Sequence, residues 1–289
     1  MPINYEQLMA MENRCQKYSY GDREVMLYAL SIGMGADPGN ERELAFVNEA
    51  AAIPRPLKVV PTFASVAAWG AEPGEVSDMN LNRLMVVDGE RDITFHKPLP
   101  PAAGIVADST MLGVYDKGKE RGAVVCQQTV LKSADGEPLA TLVASYFARG
   151  DGGFGGPTSG QPKPHRVPTR SPDITIDVAT RPDQALIYRL CGDRSPLHSD
   201  PEYAKRAGFP KPILHGVCTY GITCRGILQT YADYDPSAFK RHAARFSSPV
   251  YPGDVVTLEM WKDGNVISFE AKVKLRGVIV IKNGMAVLG

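Results

Sequence analysis

The densest run of polar functional groups in the chain extends from residue 188 to residue 202 and contains Asp193 and His198. A carboxylate and an imidazole that face the same bound molecule can together position a water and take a proton from it. Gly192 ends a predicted strand and Pro196 breaks regular structure after it, so both side chains are predicted to lie on a turn. Taken alone, the same pair is more typical of a helix cap and a hydrogen-bonded surface histidine, so the interpretation depends on what lies nearby.

The segment that follows supplies a second chemical group. Asp200 and Pro201 predict the N-cap and first turn of a short helix that Gly208 ends. The next turn enters a long helix, predicted from His215 to Tyr231. The first amides of such a helix have no intrahelical acceptor and carry partial positive charge, so they could hold a carbonyl oxygen as it becomes an enolate.

The elements that must position these groups occur twice along the chain. Phe95–Pro101 matches Phe246–Pro252 in its apolar and proline positions, and Tyr28–Leu30 matches Tyr188–Leu190 in the same order. Each half then continues through strand-like residues with an Asp-Gly hairpin signal, at residues 135–136 and 263–264. We interpret the chain as a duplicated unit.

Each repeated unit is predicted to be a sheet that covers one helix. The clearest strand follows the second hairpin, where polar residues alternate with Ile267, Phe269, Ala271, Val273 and Leu275. This period of two indicates an antiparallel strand with one buried face. The covering helices are predicted at roughly Thr62–Ala71 in the first half and His215–Tyr231 in the second, and the two sheets are expected to continue side by side.

A change of composition near Gly150 separates the two halves. The following stretch is rich in glycine and proline and lacks periodic apolar residues, which is typical of a linker. The predicted organisation is therefore a first repeat at residues 1–150, a linker at 151–172 and a second repeat at 173–289.

Charge and cysteine content exclude several classes of protein. The 289 residues include 32 Lys+Arg and 32 Asp+Glu, so no overall field attracts nucleic acid or an acidic membrane. No apolar run is long enough to span a bilayer, and the first residues lack the features of a signal peptide. The five cysteines include no CxxC pair, which argues against a disulfide framework and a cysteine-rich zinc site. We expect a cytoplasmic protein that binds neither nucleic acid nor membrane.

Other chemistries fit the motifs less well. His198, Asp200 and His215 could bind zinc, but their spacing matches no compact zinc motif. Ser195 lacks the Gly-x-Ser-x-Gly elbow of a covalent nucleophile. The glycines of residues 152–156 do not form a phosphate-binding fingerprint. We therefore expect a site without a metal.

The motifs of the second half resemble a known signature. The run Tyr-x-Leu-x-Gly-Asp-x-x-Pro-Leu-His at residues 188–198, followed by Pro-Ile-Leu-His-Gly at residues 212–216, is similar to that of the type 2 enoyl-CoA hydratases within the MaoC-like family. Residues 57–69, 89–100 and 149–156 extend the resemblance over almost the whole chain. It implies an α+β fold, a double hot-dog in which each half wraps an antiparallel sheet around one long helix.

The resemblance also implies roles for individual residues. Asp193 and His198 match the residues that activate water for addition to a 2-enoyl thioester, and Gly216 matches the backbone donor to the thioester oxygen. The implied product is a (3R)-3-hydroxyacyl-CoA, which the same enzyme could dehydrate. Ser195 stands where the family usually has asparagine, and a contact made by that amide could be lost or replaced by water.

Further positions match the family less directly. Lys211 and Arg245 match basic positions that could meet the CoA phosphates, although exposed basic residues often serve only solubility. Glu90 also matches a landmark, and we interpret it as structural. The first half has no Asp-x-x-x-x-His after Tyr28–Leu30, so we expect it to be non-catalytic and to hold a long or bulky acyl tail.

The predicted partner is an acyl-CoA thioester, in fatty-acid or sterol side-chain metabolism. Because the substrate itself carries CoA, neither a redox cofactor nor a metal is needed. Two alternatives stay open: an acyl-CoA thioesterase, in which water attacks the carbonyl, and a non-catalytic acyl-CoA-binding protein. The oligomeric state, including a homodimer, also stays open, although the duplicated halves make one chain equivalent to a dimer of single-domain subunits.

Overall fold

The computed structural model of the chain describes residues 3–50, 56–74 and 79–289, and residues 1, 2, 51–55 and 75–78 lie outside the described part. Its strands are β1 Glu12–Tyr20, β2 Val86–Phe95, β3 Ala103–Asp116, β4 Ala123–Ser133, β5 Pro138–Ala148, β6 Ile174–Ala179, β7 Phe239–Phe246, β8 Val255–Asp263, β9 Val266–Val273 and β10 Val278–Leu288. They form one antiparallel sheet in the order β1-β3-β4-β5-β2-β7-β10-β9-β8-β6.

The strand order confirms the duplication. Five strands of the first half lie in the order β1-β3-β4-β5-β2, and the corresponding strands of the second half lie in the order β6-β8-β9-β10-β7. Both predicted hairpins are present, since Gly136 and Gly264 adopt positive φ in the turns that join β4 to β5 and β8 to β9. The arrangement agrees with the predicted α+β double hot-dog.

The two halves are joined by β2 and β7 at the centre of the sheet. These strands are antiparallel, with Glu90 opposite Arg245 and Thr94 opposite Arg241. Phe95 and Phe246, the first residues of the matching proline segments, are the last residues of the two strands. The predicted continuous sheet is therefore correct, and this seam brings side chains from both halves together.

One long helix packs against strands of the sheet. The α-helices are α1 Tyr5–Met9, α2 Asp22–Ser31, α3 Glu41–Val47, α4 Ala64–Ala67, α5 Gln184–Tyr188, α6 Pro201–Arg206 and α7 Gly216–Tyr231. A Cβ at Gly221 would lie 2.6 Å from Ile32 Cγ2, and one at Gly226 would lie 2.6 Å from Leu258 Cδ2. These contacts require glycine, although glycine weakens a helix. In the described part of the chain, no helix is long and apolar enough to cross a membrane.

The predicted helix of the first half is wrong in length. The segment predicted as Thr62–Ala71 forms a 3-10 turn at Pro61–Phe63 followed by α4, which ends at Ala67. Pro61 and the aromatic ring of Phe63 are buried, so the segment packs against the core without extending across the sheet. With four residues, α4 is therefore a much shorter element than α7, which has 16.

Two local predictions also differ from the structure. Tyr188–Leu190 is helical rather than extended, because α5 continues into a 3-10 turn at Arg189–Cys191 before Gly192. Leu275 was expected on the buried face of a strand, but it is 96% exposed in a 3-10 turn that follows β9. Alternation of apolar residues could not show that the strand ends at Val273.

The segment at residues 151–172 contains no helix or strand, yet it is held against both halves. The Asp116 carboxylate of the first half accepts hydrogen bonds from the amides of Gly153 and Gly155. In the second half, His165 Nε2 lies 2.8 Å from Ser268 Oγ, and Asn283 donates to the His165 carbonyl. The segment is therefore an ordered strap.

We predict that His242 makes the fold sensitive to acid. Its ring is completely buried, lies 3.0 Å from Thr223 Oγ1 and stacks on Phe269. Burial lowers the pKa of His242 to about 3. An unfolded histidine binds a proton near pH 6.5, so the unfolded state takes up the proton first as pH falls, and the free energy of unfolding decreases from about pH 6.5 towards pH 3.

The measurement is a set of urea unfolding curves at about pH 7 and pH 5. Between these two values, protonation of His242 in the unfolded state should lower the free energy of unfolding by roughly 2 kcal/mol. His242→Gln cannot titrate and should lose less stability between the two values than the unaltered chain does. His96→Gln, at an exposed site, serves as the control. Equal losses in all three proteins would contradict the assignment.

Candidate active site

A cavity of about 1090 Å³ lies at the seam between the halves. Its wall in the second half includes Asp193, His198 and Gly216, which the sequence singled out. The first half contributes β2, β4 and β5, including Val86, Val87, Val124, Cys126 and Phe147. The second half therefore contributes groups that can move protons. The first half contributes these apolar side chains together with six charged ones, Asp88, Glu90, Lys117, Glu120, Arg121 and Arg149.

Asp193 reaches the cavity because of the turn at Gly192. Gly192 has φ of 137°, and a Cβ there would lie 2.4 Å from Trp69 Cγ. Only glycine fits this conformation and this close approach. Asp193 Oδ1 accepts a hydrogen bond from the backbone amide of Ser195 at 3.0 Å, which fixes the carboxylate. Burial raises the pKa of Asp193, and the nearby His198 acts in the opposite direction.

His198 is held by the backbone in the orientation that a base requires. It ends the 3-10 turn Pro196–His198, and its Nδ1 lies 2.9 Å from the Ile213 carbonyl oxygen. A carbonyl only accepts, so Nδ1 carries the hydrogen in the neutral ring and Nε2 has a free lone pair. Nε2 lies 3.7 Å from Asp193 Oδ2. This distance is too long for a direct hydrogen bond, but one water can contact both atoms.

Gly216 is the first residue of α7 and lines the same cavity. The carbonyl of His215 accepts from the amides of Cys218 and Thr219, so the first intrahelical bonds begin there. The Gly216 amide belongs to the turn without intrahelical acceptors. It can therefore donate to an oxygen of a bound molecule, and the helix dipole favours negative charge at that point.

His215 connects the acid to the base. Its ring is fully buried, stacks on the His198 ring with centroids 3.7 Å apart, and places Nε2 3.1 Å from the Asp193 carbonyl oxygen. Burial lowers the pKa of His215 to about 2, so the ring is neutral near neutral pH. The uncharged His215 ring thus restricts both Asp193 and His198, and the same residue precedes the helix that begins at Gly216.

Comparisons with known proteins show the family. Residues 161–284 match the MaoC-like domain, and residues 18–150 match the MFE-2 hydratase 2 N-terminal domain. The chain is 38% identical to enoyl-CoA hydratase ChsH3 of Mycobacterium tuberculosis over 99% of this chain and 98% of that protein. The chain belongs to the MaoC-like family of type 2 enoyl-CoA hydratases. It is also 35% identical to peroxisomal enoyl-CoA hydratase 2 of Arabidopsis thaliana, with coverage of 99% and 96%.

Solved structures of this family have the same fold. The MaoC-like dehydratase of Phytophthora capsici superposes with a TM-score of 0.85, at 30% identity and with 99% of each chain covered. The full-length peroxisomal multifunctional enzyme type 2 of Drosophila melanogaster superposes with a TM-score of 0.80, at 32% identity, covering 96% of this chain and 48% of that one.

Ser195, where the resemblance led us to expect asparagine, contacts Asp193 through its main chain. Its backbone amide holds Asp193, and its hydroxyl accepts from the Leu197 amide at 3.4 Å. The contact that fixes the acid is therefore made by the main chain and does not depend on the side chain. Ser195 also lines the cavity.

The two predicted basic residues differ in position. Arg245 lines the cavity, with its Nε 3.3 Å from Glu90 Oε1 across the β2–β7 seam. Burial raises the pKa of Glu90, and Arg245 acts against this. Lys211 is exposed, places its Nζ 5.1 Å from the centroid of the Tyr251 ring, and is absent from the cavity wall. Of the two, the structure brings Arg245 to the site.

Several side chains at the site were missed by sequence reasoning, among them three on β2 and β5. Asp88 and Tyr146 line the cavity, and the buried Arg91 lies between them, bonded to Asp88 and stacked on the Tyr146 ring. The pairing of β2 with β5 shifts register between Asp88 and Glu90. This bulge changes which side chains face the cavity, so the alternation of residues in the sequence does not reveal them.

The arrangement of the two histidines does not suit a metal ion. Asp193, His198 and His215 each offer a ligand atom within 4.8 Å of the others. The two imidazoles are stacked at 26°, so their in-plane lone pairs do not converge well on one ion. Asp200, which the sequence offered as a ligand, caps α6 by accepting from the amides of Glu202 and Tyr203.

We predict that Gly192→Ala destabilises this hydratase-family chain by about 2–4 kcal/mol, because strain at positive φ adds to a clash with the Trp69 ring. Gly208 also has positive φ, but no atom lies within 4 Å of its missing Cβ. Gly208→Ala is therefore the matched control for strain alone. Thermal and urea unfolding compare the two, and an equal loss at both glycines would show that the Trp69 contact is unimportant.

Proposed function

We propose that the chain catalyses reversible (R)-specific hydration of trans-2-enoyl-CoA to (3R)-3-hydroxyacyl-CoA. The observation that carries the proposal is the placement of Asp193 Oδ2 and His198 Nε2, 3.7 Å apart in the cavity that the Gly216 amide also lines. Family membership supports the reaction class and is the basis for the stereochemistry.

The chemistry follows from these three groups. The thioester oxygen accepts a hydrogen bond from the Gly216 amide, which draws electron density away from C3. A water between Asp193 and His198 attacks C3 as one proton passes to His198 Nε2, while the Asp193 carboxylate accepts a hydrogen bond from the O–H that stays on the water oxygen. The electron pair of the double bond moves towards C1 and gives an enolate. Delivery of the proton to C2 restores the thioester, so the net change is the addition of one water.

We predict that Asp193→Asn and His198→Gln each lower kcat at least about a hundredfold, the scale expected for general acid-base groups. The assay follows the loss of the conjugated enoyl absorbance, with a thiol reagent present in a parallel sample. Asp200→Asn, which preserves the cap of α6, is the control. Near-normal rates in either site variant would remove the assigned role, and release of free CoA would instead indicate the thioesterase.

The first half is proposed to hold the acyl tail, with the chain organised as a non-catalytic repeat at residues 1–150, a linker at 151–172 and a catalytic repeat at 173–289. Two observations support this. The helix of the first half ends at Ala67, and the cavity extends beneath the strands of that half, where Val87, Val124 and Phe147 form part of its wall. Apolar walls favour the burial of an alkyl chain or a bulky ring system.

We predict that Val124→Phe narrows the range of acyl-chain lengths that the enzyme accepts. The larger ring occupies space in the apolar part of the cavity, so the ratio of kcat/KM for ten-carbon over four-carbon enoyl-CoA should fall at least about tenfold. Val130→Phe is the matched control, since Val130 lies on the same strand but is absent from the cavity wall. A strict preference of the unaltered enzyme for four-carbon substrates would refute the acyl-pocket proposal.

The remaining expectations concern partners and surroundings. We propose an acyl-CoA thioester as the partner, with Arg245 and Ser195 at its binding surface, and no added cofactor. Lys211 remains a predicted contact for CoA phosphates at the protein surface. Cytoplasmic location and a homodimer also remain predictions.

A further inference from the structure

An ion pair on β2 lies next to the head of α7. Arg91 Nη2 is 2.6 Å from Asp88 Oδ1, and the two side chains are 9% and 21% exposed. Arg91 also donates to the Glu90 carbonyl and places its guanidinium 4.9 Å from the centroid of the Tyr146 ring. Although burial opposes its charge, the carboxylate of Asp88 raises the pKa of Arg91, so the guanidinium stays charged.

The second oxygen of Asp88 touches the backbone of the site. A Cβ at Gly216 would lie 3.0 Å from Asp88 Oδ2 and 3.3 Å from Asp88 Cβ. The carboxylate is therefore packed against the residue whose amide is proposed to bind the thioester oxygen. Asp88 lines the cavity, whereas Arg91 is absent from its wall and lies behind it.

This position creates an electrostatic problem for the proposed reaction. Negative charge develops on the thioester oxygen at Gly216, and an uncompensated carboxylate a few ångströms away would repel it. The repulsion would be stronger in the transition state than in the bound substrate, so it would lower kcat more than it would affect binding.

The other charged groups around Asp88 do not replace Arg91. Arg245 is paired with Glu90, and His215 is neutral. Asp193 and Glu72 are carboxylates, so neither can offset the charge of Asp88. Asp193 lies 3.7 Å from His198 Nε2 in the water site. Burial raises the pKa of Glu72, Asp88 adds to this, and Arg91 acts against it. Tyr146 contributes a ring face to Arg91 rather than a charge.

We infer that Arg91 is a positioning residue for the enolate step: it holds Asp88 against the head of α7 and cancels the carboxylate charge beside the Gly216 amide. This inference rests on the proposed function. It assigns a part of the catalytic environment to the first half, which otherwise contributes space for the acyl tail. Without Arg91, the Asp88 carboxylate would repel the enolate oxygen and slow the proposed reaction.

The test compares Arg91→Met, Asp88→Asn and the double variant in steady-state hydration of an enoyl-CoA. Arg91→Met should lower kcat at least about thirtyfold and change KM by less than about threefold, because the lost compensation of the Asp88 charge matters mainly in the transition state. Adding Asp88→Asn removes the repelling charge, so the double variant should recover at least about tenfold in kcat over Arg91→Met. A double variant as slow as Arg91→Met would overturn the inference.

The charge at position 91 gives a second readout that a purely structural role would not change. Arg91→Lys keeps the charge and Arg91→Gln removes it, so only the lysine variant should retain kcat. An equal loss of kcat in the two variants would contradict charge compensation. If Arg91→Met does not fold, this pair of variants replaces it.

A nearby pair supplies the control. Asp92 and Arg241 form an ion pair across the same seam, with 2.5 Å between Arg241 Nη2 and Asp92 Oδ2, and neither residue lines the cavity. Arg241→Met should leave kcat within about twofold, because exposed pairs contribute little. An equal loss in Arg241→Met and Arg91→Met would attribute the effect to the sheet and overturn the inference. Absence of hydration by the unaltered enzyme would instead contradict the proposed function.

Discussion

The pairing of β2 with β7 is the contact on which the rest of the site depends. It joins two five-stranded units into one sheet, and it places Asp88, the ion-pair partner of Arg91, beside the head of α7. The second half alone carries Asp193, His198 and Gly216. The wall opposite those groups, however, comes from the first half, so the seam sets both the shape of the cavity and the charge around its reactive end.

The two halves have the same strand order but different interiors. In the second half, α7 packs on the sheet, and glycines allow strands and neighbouring helices to approach it closely. In the first half, the segment predicted as its equivalent ends at Ala67, and Val87, Val124 and Phe147 of that half line the cavity. A close-packed interior has no space for a ligand, so a shorter helix is compatible with the proposed acyl pocket. The strap at residues 151–172 supplies Gln161, Pro162 and Pro164 to the same cavity.

Sequence reasoning reached the parts of this structure that depend on local chemistry. The position of Asp200 as a helix cap, the start of α7 and the two Asp-Gly hairpins follow from turn and cap preferences. Asp193, His198 and Gly216 could be placed in one cavity because a motif and a helix entrance point to it. The short helix of the first half could not be predicted, since small residues are compatible with a longer one. Asp88 and Arg91 were hidden by the bulge in β2, and the exposed position of Lys211 depends on how the turn before α7 packs.

Duplication within one polypeptide also has an evolutionary consequence. In a dimer of identical subunits, every substitution appears at both symmetry-related positions, and a change that widens one binding pocket necessarily alters the other. Here the strands repeat in the same order while the residues they carry are encoded separately. One half is therefore free to lose its reactive groups and adapt to the shape of a ligand, while selection keeps the other half chemically competent.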